Sequence, residues 1–421
     1  VKILVVGNGG REHAIAWKLQ QSEGVERIIC VPGNGGTATL NKCQNLPLRI
    51  DDFQAIAQAV IEQEISLVVV GPELPLSLGI TDYLHKHTQV NVFGPTKLGS
   101  QIEASKSWCK ALMQTAGIPT ASGATFTNPR DAKSYISAQG APIVVKADGL
   151  AAGKGVTVAM TIAEAQAAVD ALFQEDSNRV VIEAYLEGEE VSILALTDGK
   201  TIRPLLPAQD HKRIGAGDTG SNTGGMGAYA PAPLVDTSLI QKIQQQVLEP
   251  TLRALQERQI DYRGVLYAGL MITPQQEIKV LEFNCRFGDP ETQAILPLLE
   301  TPLDELLLAC ATGKLEQLPP LQWRQEASIC VVIASGGYPG NYEQQKAIVG
   351  IAEAEQLGVT VFHAGTKYEE GQLVTAGGRV LNVTATATNF EEAIKKVYQG
   401  VDCIDFANKY CRRDIGYRLF V

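Results

Sequence analysis

The chain has 421 residues, enough for two to four domains at roughly 100–200 residues each. Its net charge of −10, from 36 basic against 46 acidic residues, argues against the basic excess that marks nucleic-acid binding. No apolar stretch reaches the roughly 18 residues of a membrane span. Eight scattered cysteines without a CxxC pair point to buried, reduced thiols in a cytoplasmic protein rather than to a zinc site.

Ile3–Val6 predicts a strand, followed by Gly7-Asn8-Gly9-Gly10 and a helix over Arg11–Gln20. Arg27–Val31 predicts a second strand. Asp51 or Asp52 caps a helix with Phe53, Ile56, Ala57, Val60 and Ile61 on one face. Ile65–Val70 and Val90–Phe93 are apolar runs of the kind found in parallel strands covered on both faces. Residues 1–100 therefore predict a doubly wound α/β domain. A small α+β lobe is expected over 119–190. It has a strand within Ala141–Ala147, a Gly/Ala-rich loop Asp148–Gly155 and a strand Val156–Ala159. A capping box at Thr161–Glu164 opens a helix, and a strand follows at Arg179–Ala184.

From Val191 the pattern is mixed. It holds a long polar loop over Asp210–Gly227, a helix around Leu239–Gln259 and strands at Gly264–Ile272 and Ile278–Phe283. The last part is β-rich, with strands Ile329–Ala334, Gly358–His363 and Gly378–Thr384 and a helix from Phe390 that stops at Gly400. The expected division is 1–100, then 101–325 including the lobe 119–190 as a lid, then 326–421.

Val280–Thr292 (VLEFNCRFGDPET) carries the densest chemistry. On a strand, Glu282 and Asn284 project together, with Leu281 and Phe283 towards the core. A carboxylate beside an amide oxygen suits a hard cation such as Mg²⁺. Arg286 would continue the row and hold a carboxylate or phosphoryl group. A solvated strand edge with a Glu282–Arg286 salt bridge is an equally weighted alternative.

Lys146 ends a buried strand just before Gly149–Gly155 (GLAAGKG), which contains Gly153, Lys154 and Gly155. Such a loop lets backbone N–H groups approach phosphate. It is no Walker A loop, because only three residues separate Gly149 from Gly153. Lys106 lies in a helical stretch. Gly7–His13 (GNGGREH) lacks the third glycine of a dinucleotide fingerprint, since Glu12 stands there. It reads as a phosphate-binding turn at a helix N-terminus. A dehydrogenase using this domain for NAD is the competing class.

Together GNGGREHA, GPE (Gly71, Pro72, Glu73), KADGLAAGKGV, IEAYLEGEEVS, AQDHKR, NTGGMGAY and LEFNCRFGDPETQ resemble the ATP-grasp superfamily. More narrowly, they are similar to the phosphoribosylamine–glycine ligase (glycinamide ribonucleotide synthetase) family. The resemblance implies an ATP-grasp fold with an N-terminal doubly wound domain and a C-terminal β-rich domain. It implies a ligase that joins glycine to 5-phosphoribosylamine with ATP, through glycyl phosphate, in purine biosynthesis. Lys106, Lys146, Gly153, Lys154 and Gly155 would meet the ATP phosphates. Glu183, Ala184, Tyr185 and Leu186 would hold adenine, and Glu190 the ribose. Glu282 and Asn284 would hold Mg²⁺ or Mn²⁺. Arg286 and Asp289 would be catalytic, near glycine. Gly9, Gly10, Arg11, Glu12, Gly71, Pro72, Glu73, Asp210, Lys212, Asn222, Thr223 and Gly224 would bind substrate. The expected partners are small molecules only, with no nucleic acid and no membrane, and the expected state is a monomer. The strand Gly264–Ile272 lacks the further acidic metal ligand of many ATP-grasp enzymes.

Overall fold

The structure, a computed structural model, describes residues 1–150, 155–174 and 178–420. The chain opens with a five-stranded parallel sheet. Its strands are β1 (Lys2–Gly7), β2 (Arg27–Pro32), β3 (Cys43–Asn45), β4 (Leu67–Val70) and β5 (Asn91–Phe93), in the order β3-β2-β1-β4-β5. Strands β1 and β4 are buried almost end to end, which is why they read as apolar runs. Helices α1 (Gly10–Leu19), α2 (Phe53–Glu62) and α3 (Glu73–Leu78) begin in the loops after β1, β3 and β4. Asp52 caps α2 by accepting from the Ala55 N–H at 3.0 Å. β3 and α3 have no counterpart among the predicted elements. β3 is only three residues long, and α3 opens behind Pro72 with a single acidic residue as its signal.

The small lobe is a four-stranded antiparallel sheet. It comprises β6 (Gly123–Phe126), β7 (Ile143–Ala147), β8 (Val156–Ala159) and β9 (Val180–Ala184), ordered β6-β9-β7-β8. The predicted capping box is present. The Glu164 N–H donates to Thr161 Oγ1 at 3.2 Å and the Thr161 N–H to Glu164 Oε2 at 3.2 Å. A second antiparallel sheet holds β10 (Glu189–Asp198) and β11 (Ile202–Pro204). The next segment contains β12 (Gln209–Asp210), β13 (Arg213–Gly215), β14 (Thr219–Asn222) and β15 (Gly227–Ala230). Then β16 (Arg263–Ile272) and β17 (Ile278–Asn284) complete the second sheet, ordered β11-β10-β16-β17.

Two expectations are corrected here. The predicted polar loop Asp210–Gly227 is in fact a hairpin of β13 and β14, flanked by β12 and β15. Its strands are short, polar and glycine-containing, so they carry no apolar alternation. Arg412 from the C-terminal region holds the hairpin by donating to Asp218 Oδ1 at 2.8 Å. The helix expected to stop at Gly400 runs through it, over Phe390–Cys403. Gly400 is buried, and a Cβ there would lie 2.8 Å from Val359 Cγ2. That glycine permits close packing and ends nothing.

The remaining sheet joins β12 and β15 to β18 (Ala327–Ser335), β19 (Thr360–His363) and the Arg379–Ala387 strand. Among the described residues no helix is long and apolar enough to cross a membrane. The loops after β1 and β4 lie against each other, and one glycine shows how tightly they pack. A Cβ on Gly71 would stand 2.0 Å from Glu12 Oε1. Gly71→Ala is expected to destabilise the protein by about 1–3 kcal/mol, read as a lower guanidinium midpoint. An unchanged midpoint would show that the Glu12 side chain is free to move aside.

Candidate active site

The small lobe presents its lysines through a buried carboxylate. Glu183 lies on β9 opposite Val144 of β7. Lys146, two residues further along β7, places Nζ 2.5 Å from Glu183 Oε2, and Lys110 of the Lys106–Ala116 helix donates to Oε1 at 2.7 Å. All three groups are buried. Burial raises the carboxyl pKa of Glu183, but Lys146 and Lys110 outweigh it and hold the group below its ordinary value. Two cations around one anion leave a net positive charge facing the cleft. Glu183 was expected to contact adenine; its carboxylate instead orients the lysines, which leaves backbone as the edge offered to a base. Ala184 N–H is already committed to Ser122 O at 2.8 Å. Tyr185 is exposed and Leu186 half-buried. Lys106 donates to Gly149 O at 2.8 Å. Gly155, the residue before β8, is buried. The predicted contacts of Gly153 and Lys154 lie outside the described residues.

Lys146 also donates to Leu281 O at 2.9 Å, tying the lobe to β17. A bulge makes this possible. Gly269 of β16 pairs with Glu282, but its neighbour Leu270 pairs with Val280, so Leu281 has no partner of its own. Strict alternation would have put Ile278, Val280, Glu282 and Asn284 on one face. The bulge resets the period, so Ile278, Val280 and Phe283 share the core while Glu282 and Asn284 face the cleft. The expectation that Leu281 points into the core fails for this reason; it is only half-buried.

Glu282 does not pair with Arg286. It faces Lys212 at 3.6 Å, and Lys212 also meets Glu190 at 3.0 Å. Burial raises the Glu282 pKa, yet Lys212, Lys146 and Lys106 hold it below the ordinary value. An ionised carboxylate beside the amide oxygen of Asn284 is a donor set that fits a divalent cation. Opposite Glu282 on β16 stands Gly269, so that strand adds no ligand there.

Arg286 is held by Glu73 at 3.2 Å and by Glu103 at 3.0 Å, and it donates to Asn284 Oδ1 at 3.3 Å. Burial lowers its pKa, but the Glu103 and Glu73 carboxylates carry it above the ordinary value, so its charge is permanent. The N-terminus of α1 differs from the predicted phosphate turn. Gly9 N–H donates to Glu12 Oε2 at 2.7 Å and Arg11 N–H to Asp289 Oδ2 at 3.3 Å. A phosphate at these donors would meet two carboxylates. Asp289 thus sits against the α1 turn, where Gln293 donates to Oδ1 at 2.7 Å and Arg379 approaches at 3.3 Å. Arg379 also donates to Gly224 O at 2.7 Å. Gly10 lies under Asn382 and Gln293. Thr223 N–H donates to Lys212 O at 2.7 Å, which fixes the turn carrying Asn222, Thr223 and Gly224 beside Asp210. Pro72 is the N-cap of α3, whose first residue is Glu73.

Three participants escaped the sequence reading. Lys110 and Glu103 had a faint signal, since both flank Lys106 on one helical stretch. Arg379 had none, because it arrives from a strand far along the chain.

A small antiparallel lobe that lays lysines over a Glu-x-Asn strand in a larger sheet defines the ATP-grasp class of proteins. Family models match three successive stretches of the chain. The N domain of phosphoribosylglycinamide synthetase matches residues 1–103, its ATP-grasp (A) domain 104–292 and its C domain 328–418. The chain belongs to that family of carbon–nitrogen ligases. It is 64% identical over 424 residues to phosphoribosylamine–glycine ligase of Nostoc sp., with 100% of each chain covered. The Synechocystis sp. protein of the same name is 58% identical over 99% of this chain and 100% of its own. The crystal structure of phosphoribosylamine–glycine ligase from Thermotoga maritima superposes with a TM-score of 0.85 at 32% identity, covering 99% of this chain and 100% of that one.

Proposed function

We propose that this chain ligates glycine to 5-phosphoribosylamine, converting ATP to ADP and phosphate and giving glycinamide ribonucleotide for purine synthesis. The observation that carries the reading is the Lys146 bridge, which joins the net-positive Lys110–Glu183–Lys146 cluster to the Glu282–Asn284 strand. It sets a phosphate-binding lysine beside the residues that would hold a cation. Glu282 and Asn284 would hold Mg²⁺ or Mn²⁺, which supplies neutralisation of the polyphosphate charge when bound.

In this reading Lys106 and Lys146 hold the phosphates, aided by the loop Gly153-Lys154-Gly155. The backbone of Ala184, Tyr185 and Leu186 meets adenine, and Glu190 meets the ribose. A carboxylate oxygen of glycine attacks the γ-phosphorus and ADP leaves. The amine of 5-phosphoribosylamine then attacks the carbonyl of glycyl phosphate. The C–N bond forms, the C–O bond breaks, phosphate departs and the amine gives up a proton. The chain's contribution is orientation and charge placement. Exclusion of water by the lobe protects the acyl phosphate. Arg286, fixed by two carboxylates, lies at the glycine end. The carboxylates of Glu12 and Asp289 on the α1 turn suit hydroxyl and amine donors of phosphoribosylamine. The enzyme works as a monomer in the cytoplasm.

The test is ADP release with glycine and phosphoribosylamine, each omitted in turn. ADP is expected at rate only when both are present. Mg-ATP is expected to raise the melting temperature and NAD to leave it unchanged. Stabilisation by NAD alone, or ADP release indifferent to glycine, would rule the reading out.

A further inference from the structure

The α1 turn runs through Gly7, Asn8, Gly9 and Gly10, and its three glycines give it little conformational preference of its own. One side chain from outside supplies what the turn lacks. Asn34, in the loop after β2, is buried. Its Nδ2 donates to Asn8 O at 2.9 Å and to His363 O at 2.7 Å, with Gly9 O further off at 3.4 Å. Its Oδ1 accepts from the Gly36 N–H at 2.9 Å and the Thr37 N–H at 3.0 Å. With N–H donors on one side and carbonyls on the other, a single orientation of the amide satisfies every partner. The two ends of the amide thus have different tasks. Oδ1 closes the local loop, and Nδ2 ties the α1 turn to His363 at the end of β19.

The tie reaches the cleft through one peptide group. The Asn8 carbonyl and the Gly9 N–H share a plane, and the Gly9 N–H donates to Glu12 Oε2 at 2.7 Å. Holding the carbonyl end of that plane holds its N–H end, and with it the Glu12 carboxylate. The C-terminal sheet is firmly seated at this place. The Gly35 N–H donates to Thr366 O at 3.2 Å, and the His363 N–H to His13 Nδ1 at 2.8 Å. Building on the proposed ligase reading, we infer that Asn34 is a positioning residue through which the docked C-terminal sheet sets the α1 turn for phosphoribosylamine. It acts through the Asn8–Gly9 peptide and does not itself meet substrate. ATP and glycine bind at the lysine cluster and at the Arg286 end, which Asn34 does not touch.

Asn34→Asp separates the two tasks. Aspartate keeps an oxygen for the Gly36 and Thr37 N–H groups and serves in such turns as asparagine does. It sets its other oxygen where the carbonyls need a donor. Steady-state kinetics of the full chain are expected to show KM for phosphoribosylamine raised roughly 10- to 100-fold, the scale of a misplaced binding group. KM for ATP and KM for glycine are expected to stay within about two-fold, as for a substitution away from both sites. Asn34→Ser adds no charge. Its hydroxyl ends where the Asn34 Cγ stands, so it can close the loop but cannot reach Asn8 O, and the same split in KM is expected. Should Asn34→Asp fail to fold, Asn34→Ser decides alone. A wild-type KM for phosphoribosylamine in a folded variant would overturn the inference, since loop closure would then be the whole role of Asn34. A parallel rise in all three KM values would overturn it too, because it would report general loosening. Failure of the wild-type protein to release ADP with glycine and phosphoribosylamine would instead overturn the ligase reading beneath it.

Discussion

Glu282→Ala is expected to lower turnover by on the order of 10²–10³-fold while leaving the protein folded. The size follows from losing one fixed charge-placing group in a transition state. The direction follows from geometry. Glu282 is the anion of the pair on β17, and Asn284 Oδ1 alone is a neutral, single donor already shared with Arg286 at 3.3 Å. Without the carboxylate, a divalent cation loses its charged ligand and the polyphosphate loses its counterion. Lys212 would remain with Glu190 at 3.0 Å, so no cation is stranded by the change. The fold has little to lose, because the Glu282 side chain is 40% exposed. ADP release under saturating substrates measures the effect. The melting temperature without nucleotide should stay near wild type, and the stabilisation by Mg-ATP should shrink. Near-wild-type turnover would remove Glu282 from the cation site.

Much of this site was legible because its residues lie close together in sequence and obey local periods. Glu282 and Asn284 differ by two on a strand, and the α1 turn is a glycine cluster after an apolar run. What escaped was set by pairing across the sheet or by distance along the chain. The bulge at Leu281 depends on how β17 registers against β16, and no property of residues 278–284 alone states that register. The α1 turn was legible as an anion site on its N–H groups. It was not legible that Asp289, far along the chain, and Glu12 would take those donors first. Arg379 reaches Asp289 and Gly224 only because the C-terminal sheet incorporates β12 and β15 from the middle of the chain. The hairpin at 213–222 was missed for a related reason. Its stability comes from Asp218 held by Arg412 and Arg418, and not from an apolar face of its own.

The same contrast between local signal and tertiary pairing governs Glu183→Ala, which is expected to destabilise the small lobe by about 3–5 kcal/mol. Removing this carboxylate leaves the ammonium groups of Lys110 and Lys146 buried beside one another with no anion between them. Lys110 would keep Ala121 O and Thr120 Oγ1, and Lys146 would keep Leu281 O, but carbonyl and hydroxyl dipoles do not cancel two charges. Amide exchange should accelerate in β7 and β9 before it does in the five-stranded sheet, since β9 carries the deleted group and β7 carries Lys146. Uniform exchange rates would mean that the lobe is held by its apolar core alone. A second substitution separates stability from binding: Lys110→Met in the Glu183→Ala background deletes the stranded cation and is expected to recover part of the loss. The pH dependence has a definite sign. The folded-state pKa of Glu183 lies below its ordinary value, so its contribution is complete above the unfolded carboxyl pKa of about 4.3. It is lost as pH falls through the lower folded value. Wild type and Glu183→Ala should therefore differ most in lobe stability near neutral pH and converge in acid.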